Sequence, residues 1–175
     1  MADPLEEKWV RWAVLATAAL AVLAAVSALK SGFCNTRVQL LTTMENNRWG
    51  YFQLKSMKQQ AAQMQKDLFQ LEALKGGTPE VQKFIERKRQ EVEQEIQRYD
   101  SEKNTVKTQA EKFAEEGDLF KRKSSNFAMA VMFLQIAILL SSAAVLLKKR
   151  SLWLTGLLLG TIALIYFLNG FYLFM

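Results

Sequence analysis

Histidine is absent from this 175-residue chain, which removes the commonest general base, proton shuttle and metal ligand from any chemistry it could perform. There is one cysteine, Cys34, so neither an intramolecular disulfide nor a thiolate metal site can form. The two prolines, Pro4 and Pro79, leave very long stretches without a helix breaker. Charge is also missing from three whole stretches. None of the 23 basic and 17 acidic side chains falls within Trp12 to Leu29, Phe127 to Leu147 or Leu152 to Met175. An uncharged apolar run of about 18 or more residues suits a bilayer-crossing helix, because about 20 residues rising ~1.5 Å each span a hydrocarbon core ~30 Å thick. The mean hydropathy of −0.01 therefore averages a very apolar part with a very polar one. A soluble globular domain is excluded.

The net charge of +6 is explained by basic residues clustered beside the apolar runs. No aromatic-basic recognition module or finger spacing accompanies it, so no nucleic-acid partner is expected. The first apolar run could instead be a signal peptide, with Ala25-Val26-Ser27 as its cleavage site. Its preceding residues argue otherwise: Asp3, Glu6 and Glu7 stand against Lys8 and Arg11, whereas a signal peptide starts basic. An uncleaved anchor follows, with Trp9 and Trp12 at one interface and Lys30 at the other.

Residues 30–126 separate the first run from the second and carry most of the charge. Their strongest punctuation is Gly76-Gly77-Thr78-Pro79, where glycines end one helix and a capping threonine and first-turn proline start the next. Ser31-Gly32 is a second expected break. The later helix carries Val81, Ile85, Val92, Ile96, Tyr99, Val106, Ala110, Phe113 and Phe120, steps of three and four that make a coiled-coil seam, interrupted by Lys88, Lys103 and Gly117. The earlier helix offers a looser stripe of Val38, Leu41, Met44, Tyr51, Leu54, Ala61, Leu68, Leu71 and Leu74. Reversal at the glycines predicts Leu68 opposite Ile85, Ala61 opposite Val92, Leu54 opposite Tyr99 and Leu41 opposite Phe113. Lys58 should then lie near Glu95.

The stretch Arg48-Trp49-Gly50-Tyr51-Phe52-Gln53-Leu54-Lys55-Ser56-Met57-Lys58-Gln59 resembles the WxYxQxKSxK core of an uncharacterised bacterial family catalogued as domain of unknown function 4337. Phe133 to Ser142 and Tyr166 to Phe171 resemble it too. The resemblance implies a bacterial inner-membrane protein with three spans around a helical insert, and it supplies no activity.

Candidate functional residues fall into two groups. Arg48, Trp49, Tyr51, Phe52, Lys55 and Lys58 crowd the first long helix and form either a docking patch, since Trp and Arg are typical binding anchors, or part of the hairpin and oligomer core. In the second case Tyr51 lies in the seam, while Trp49 and Phe52 pack between hairpins. Within the apolar runs, Gln135, Ser141, Ser142 and Asn169 are polar and must find partners or line a wet cavity. Gly156-x-x-x-Gly160, with Ala13, Thr17, Ala21, Ala24 and Ala28, offers small-residue faces for close helix packing. No nucleophile–base pair, metal cluster or phosphate loop is visible, so an enzyme is not expected, nor any catalytic, cofactor-binding or metal residue.

The short basic connection Lys148-Lys149-Arg150 belongs in the cytoplasm by the positive-inside rule. That places the amino terminus inside and the hairpin in the periplasm. The expected architecture is an all-α integral membrane protein. It comprises an N-terminal flank (1–11), a first span (12–29), an antiparallel coiled-coil hairpin (30–126, turning at 76–79), a second span (127–147), a basic loop (148–151) and a third span (152–175). The expected role is a homo-oligomeric scaffold or accessory subunit whose partners are the lipid bilayer, further copies of itself and, as an alternative, another membrane-protein complex. A ring-shaped channel lined by Gln135, Ser141 or Asn169 is the competing reading.

Overall fold

A computed structural model describes residues 4–174 as three helices, α1 (Pro4–Leu74), α2 (Pro79–Leu147) and α3 (Arg150–Tyr172), with no strand among the described residues. Residues 1–3 of the N-terminal flank and the last residue of the third span lie outside that range. Each helix contains a stretch long and apolar enough to cross a bilayer.

The turn between α1 and α2 follows from its glycines. Gly76 takes φ +77°, a left-handed conformation that glycine adopts without steric cost. The N–H groups of Lys75 and Gly76 donate to Glu72 and Ala73, closing the last turn of α1. Pro79 then opens α2, where a missing N–H costs nothing, and the Thr78 carbonyl accepts from Gln82 at 3.1 Å. The second connection is shorter than the expected basic loop. Only Lys148 and Lys149 leave the helix, Lys148 with φ 52°, and α3 starts at Arg150.

The expected break at Ser31-Gly32 does not occur, because α1 runs through both residues. A single glycine costs a helix only ~1 kcal/mol, and neighbouring packing outweighs that. The Ser31 hydroxyl, moreover, is engaged by another helix: its Oγ lies 3.3 Å from both the carbonyl oxygen and the Oγ of Ser124.

Two compact units emerge, residues 1–39 with 117–175, and residues 40–116. In the first, α1 and α2 run antiparallel, as do α2 and α3. Ser31 meets Ser124, Phe127 meets Phe167 and Phe171, Phe133 stacks on Tyr166 at 5.6 Å, and Trp9 lies 6.3 Å from Trp153. Its core is mostly small side chains, Ala13, Ser27, Ala130, Ala137, Ala144 and Ala163 at zero exposure, with Leu134 and Phe127 the large ones buried among them. Small residues let helix backbones approach, which is how packing is gained in lipid, where the hydrophobic effect gives no preference.

In the second unit the α2 residues Ile85, Val92, Ile96, Tyr99, Val106, Ala110 and Phe113 are buried or half-buried, with Lys88 and Lys103 half-buried among them. These residues belong to the stripe expected for α2, of which Val81 is left exposed at 48%. On α1 the packed face is a different one. Leu41, Glu45, Arg48, Phe52, Lys55, Gln59, Ala62, Lys66 and Phe69 are buried or half-buried, again at steps of three and four. Of the expected stripe Leu41 is buried and Val38, in the first unit, half-buried, while Met44, Tyr51, Leu54, Ala61, Leu68, Leu71 and Leu74 are exposed. Charge matching accounts for this choice. Lys55 pairs with Glu102, Lys66 with Glu93, and Gln59 bonds both Asp100 (3.2 Å) and Lys103 (2.8 Å). The apolar stripe would set Lys103 against leucines and leave its half-buried ammonium only Asp100, on its own helix, as a partner. The expected neighbour of Glu95 is also replaced: Arg98 on its own helix holds it at 3.9 Å.

Candidate functional site

The aromatic–basic patch of α1 divides between two faces. Arg48, Phe52 and Lys55 turn toward α2, Phe52 beneath the Lys103 ammonium at 6.0 Å and Lys55 over the Tyr99 ring at 5.6 Å. Trp49 is half-buried, meets Phe52 edge-on at 5.5 Å and donates from Nε1 to Glu45 at 3.3 Å. Tyr51 and Lys58 face outward, Tyr51 at 54% exposure beside a shallow hollow formed with Asn46, Asn47, Gly50 and Leu54. Tyr51 and Phe52 therefore exchange the roles expected of them: the phenylalanine packs within the chain and the tyrosine is open.

This packing sets the local electrostatics. The hydrogen bond from Lys55 holds the Glu102 carboxyl below its ordinary pKa. Hydrogen bonds from Lys103 and then Gln59 do the same for Asp100. These groups act as charged struts between α1 and α2. Among the described residues no three acidic or cysteine side chains converge as a metal site.

In the first unit the polar and glycine residues have separate fates. Ser141 and Asn169 are buried at 1% and 2% exposure. Gly156 and Gly160 do not form one seam. A methyl on Gly156 would lie 2.9 Å from Ser141 Oγ and 3.1 Å from the Ala137 carbonyl, on α2. One on Gly160 would lie 3.1 Å from Leu20 Cδ2, on α1. Both glycines are thus consumed by packing inside the chain, each against a different helix.

Gln135 and Ser142 remain exposed. Gln135 lies within the uncharged second run and has no hydrogen-bond partner among the described residues. Ser142 lines an open apolar groove of about 550 Å³ with Val14, Thr17, Ala18, Ala21, Val145 and Leu146. Of the expected small-residue face on α1, Ala13 is buried, Thr17 and Ala21 line this groove, and Ala28 is exposed.

Two clusters lie outside the sequence-derived set. Ser124 donates to Asn35 Oδ1 at 2.8 Å as well as meeting Ser31, beside buried Cys34, whose thiol pKa is raised by burial against the opposing charges of Lys123 and Lys30. Phe127, at 2% exposure, is clasped by Phe167, Phe171 and the bare backbone of Gly170. Ser124 and Phe127 lie on the buried face of α2 that continues through Ala130, Leu134, Ala137, Ser141 and Ala144, but the Asn35 and Gly170 partners come from distant segments that spacing along one helix does not connect.

The chain belongs to the family described as Domain of unknown function (DUF4337), which matches residues 9–173. No curated protein and no solved structure matches the chain.

Proposed function

We propose that this DUF4337 protein is a non-enzymatic, homo-oligomeric membrane scaffold or accessory subunit. Its three helices cross the bacterial inner membrane, and its intervening segment forms an antiparallel coiled-coil hairpin. The observation that carries assembly is Gln135. An exposed carboxamide in an uncharged apolar run faces hydrocarbon unless another chain supplies its partner, and such intramembrane hydrogen bonds average ~0.6 kcal/mol, reaching ~2 in model systems. The open groove beside Ser142, floored by small residues, gives a second helix a place to approach. The matched three-and-four steps on α1 and α2, tied by Lys55–Glu102 and Lys66–Glu93, support the hairpin. Lys148-Lys149-Arg150 favours a cytoplasmic amino terminus and a periplasmic hairpin.

The channel reading loses two of its three lining residues, since Ser141 and Asn169 are buried within one chain. Reconstituting wild type and Gln135→Leu, then measuring oligomer mass and ion flux on the same samples, tests the choice. The scaffold reading expects no flux in wild type and weakened assembly in the variant. Robust wild-type conductance, lost in Gln135→Leu at unchanged mass, would sink it.

A further inference from the structure

The α1 segment of the second unit carries two helical stripes, and only the more polar one is packed. The other runs Leu54, Met57, Ala61, Met64, Leu68 and Leu71, an unbroken alternation of three- and four-residue steps in which every residue is apolar. All six are exposed, the large ones at 44%, 67%, 68%, 60% and 57%. A 3.5-residue repeat sustained in this way is the pattern by which one helix presents itself to another. We propose that this stripe is the contact surface for α1 of a second copy of the same chain, running parallel to the first. The inference deepens the homo-oligomer reading and rests on it.

Two observations favour a copy as the occupant. The first is area. Five large side chains exposing on the order of 100 Å² each form one strip of ~500 Å² along ~26 Å of helix, at the upper end of what a monomer leaves uncovered. Two such strips face to face remove about 1,000 Å², the threshold for a specific interface. The second is that the flanking positions permit it: in a parallel pair Gln53 flanks Lys58 of the other copy and Gln60 flanks Gln65, neutral contacts that neither attract nor repel by charge. Only Asp67 beside Glu72 repels, and Lys75 already holds Glu72 at 3.2 Å. Chain order fixes the direction: in copies held in one bilayer by the run that precedes the stripe, parallel alignment brings each residue to its own counterpart. An open groove of about 590 Å³, bordered by Leu68, Gln65, Phe69 and Val92, leaves a seat for a partner side chain beside the stripe.

Single cysteines at positions 53 to 71 of the full-length protein in native membranes, in a Cys34→Ser background, test the proposal by oxidative crosslinking. Disulfide dimers should peak at Leu54→Cys, Met57→Cys, Ala61→Cys, Met64→Cys and Leu68→Cys and fall at least tenfold at Gln63→Cys and Gln70→Cys. Adding Met57→Glu with Met64→Glu should cut the Ala61→Cys dimer tenfold while helix content is unchanged. Flat crosslinking along α1, products formed only when Leu54→Cys and Leu71→Cys chains are mixed, or adducts of a mass other than twice the chain would each overturn the assignment. Wild-type mass measured in parallel separates the failures: an oligomer without stripe crosslinks refutes this interface alone, and a monomer refutes the assembly reading with it.

Discussion

Replacing Gly170 by alanine should destabilise the protein even though alanine is the better helix former. The added methyl would lie 2.7, 2.8 and 2.9 Å from Cε1, Cζ and Cδ1 of Phe127. That ring is 2% exposed and is held edge-on by Phe171 at 5.1 Å and Phe167 at 6.0 Å, so it has little room to retreat. Overpacking of this kind costs about 1–3 kcal/mol, and the helix-propensity gain of ~1 kcal/mol offsets part of it. The same substitution at Gly50, where nothing lies within 4 Å, keeps the gain without the clash. Two chemically identical substitutions should thus move stability in opposite directions. The assay is reversible unfolding by sodium dodecyl sulfate in mixed micelles, followed by helix content. Phe127→Leu opens space at the clash, so Gly170→Ala combined with Phe127→Leu should lose less than the two separate losses added together. Gly170→Ala as stable as Gly50→Ala, or strict additivity in the double variant, would refute the close approach of α3 to Phe127.

Glu102 and Asp100 titrate below their ordinary values, so what they contribute is present above the unfolded carboxylate pKa and is lost as pH falls through the lowered folded values. Stability should therefore decline below about pH 4, and Glu102→Gln with Asp100→Asn should flatten that decline in thermal melts from pH 3 to 7; unchanged slopes would contradict the strut role. Cys34 is 4% exposed and its thiol pKa is raised, so maleimide labelling of the folded protein should be slow and become rapid in denaturant. Fast labelling of the folded chain would mean the Ser31–Ser124 cluster is open. A methyl at Gly77 meets Val81 only at 3.5 Å, ordinary contact, so Gly77→Cys in a Cys34→Ser background should be tolerated. An impermeant thiol reagent should label it in intact spheroplasts, and protection until lysis would invert the orientation.

How far the sequence was legible depended on whether a property is local or relational. The turn at Gly76 and the α2 seam were readable because each rests on residues within a few positions of one another. The packed face of α1 was not. Apolar count selects Leu54, Leu68 and Leu71, yet Glu93, Asp100, Glu102 and Lys103 select Lys66, Gln59 and Lys55, and only the pairing of two helices reveals that competition. Gly156 and Gly160 illustrate the same limit. Their spacing marks one helix face, but that face sits between two neighbours and serves each with one glycine. The partners of Gly170 and Ser124 gave no signal, because a clash with a ring or a bond to Asn35 exists only once distant segments meet. The failed break at Ser31-Gly32 shows the converse, a local signal overridden by packing.

Homo-oligomerisation is the central claim, and native mass spectrometry of the wild-type chain extracted directly from its membrane into lipid nanodiscs tests it most directly. The prediction is an integer multiple, two or more, of the 20.0 kDa chain, persisting on dilution. A 20.0 kDa monomer at every concentration would contradict it.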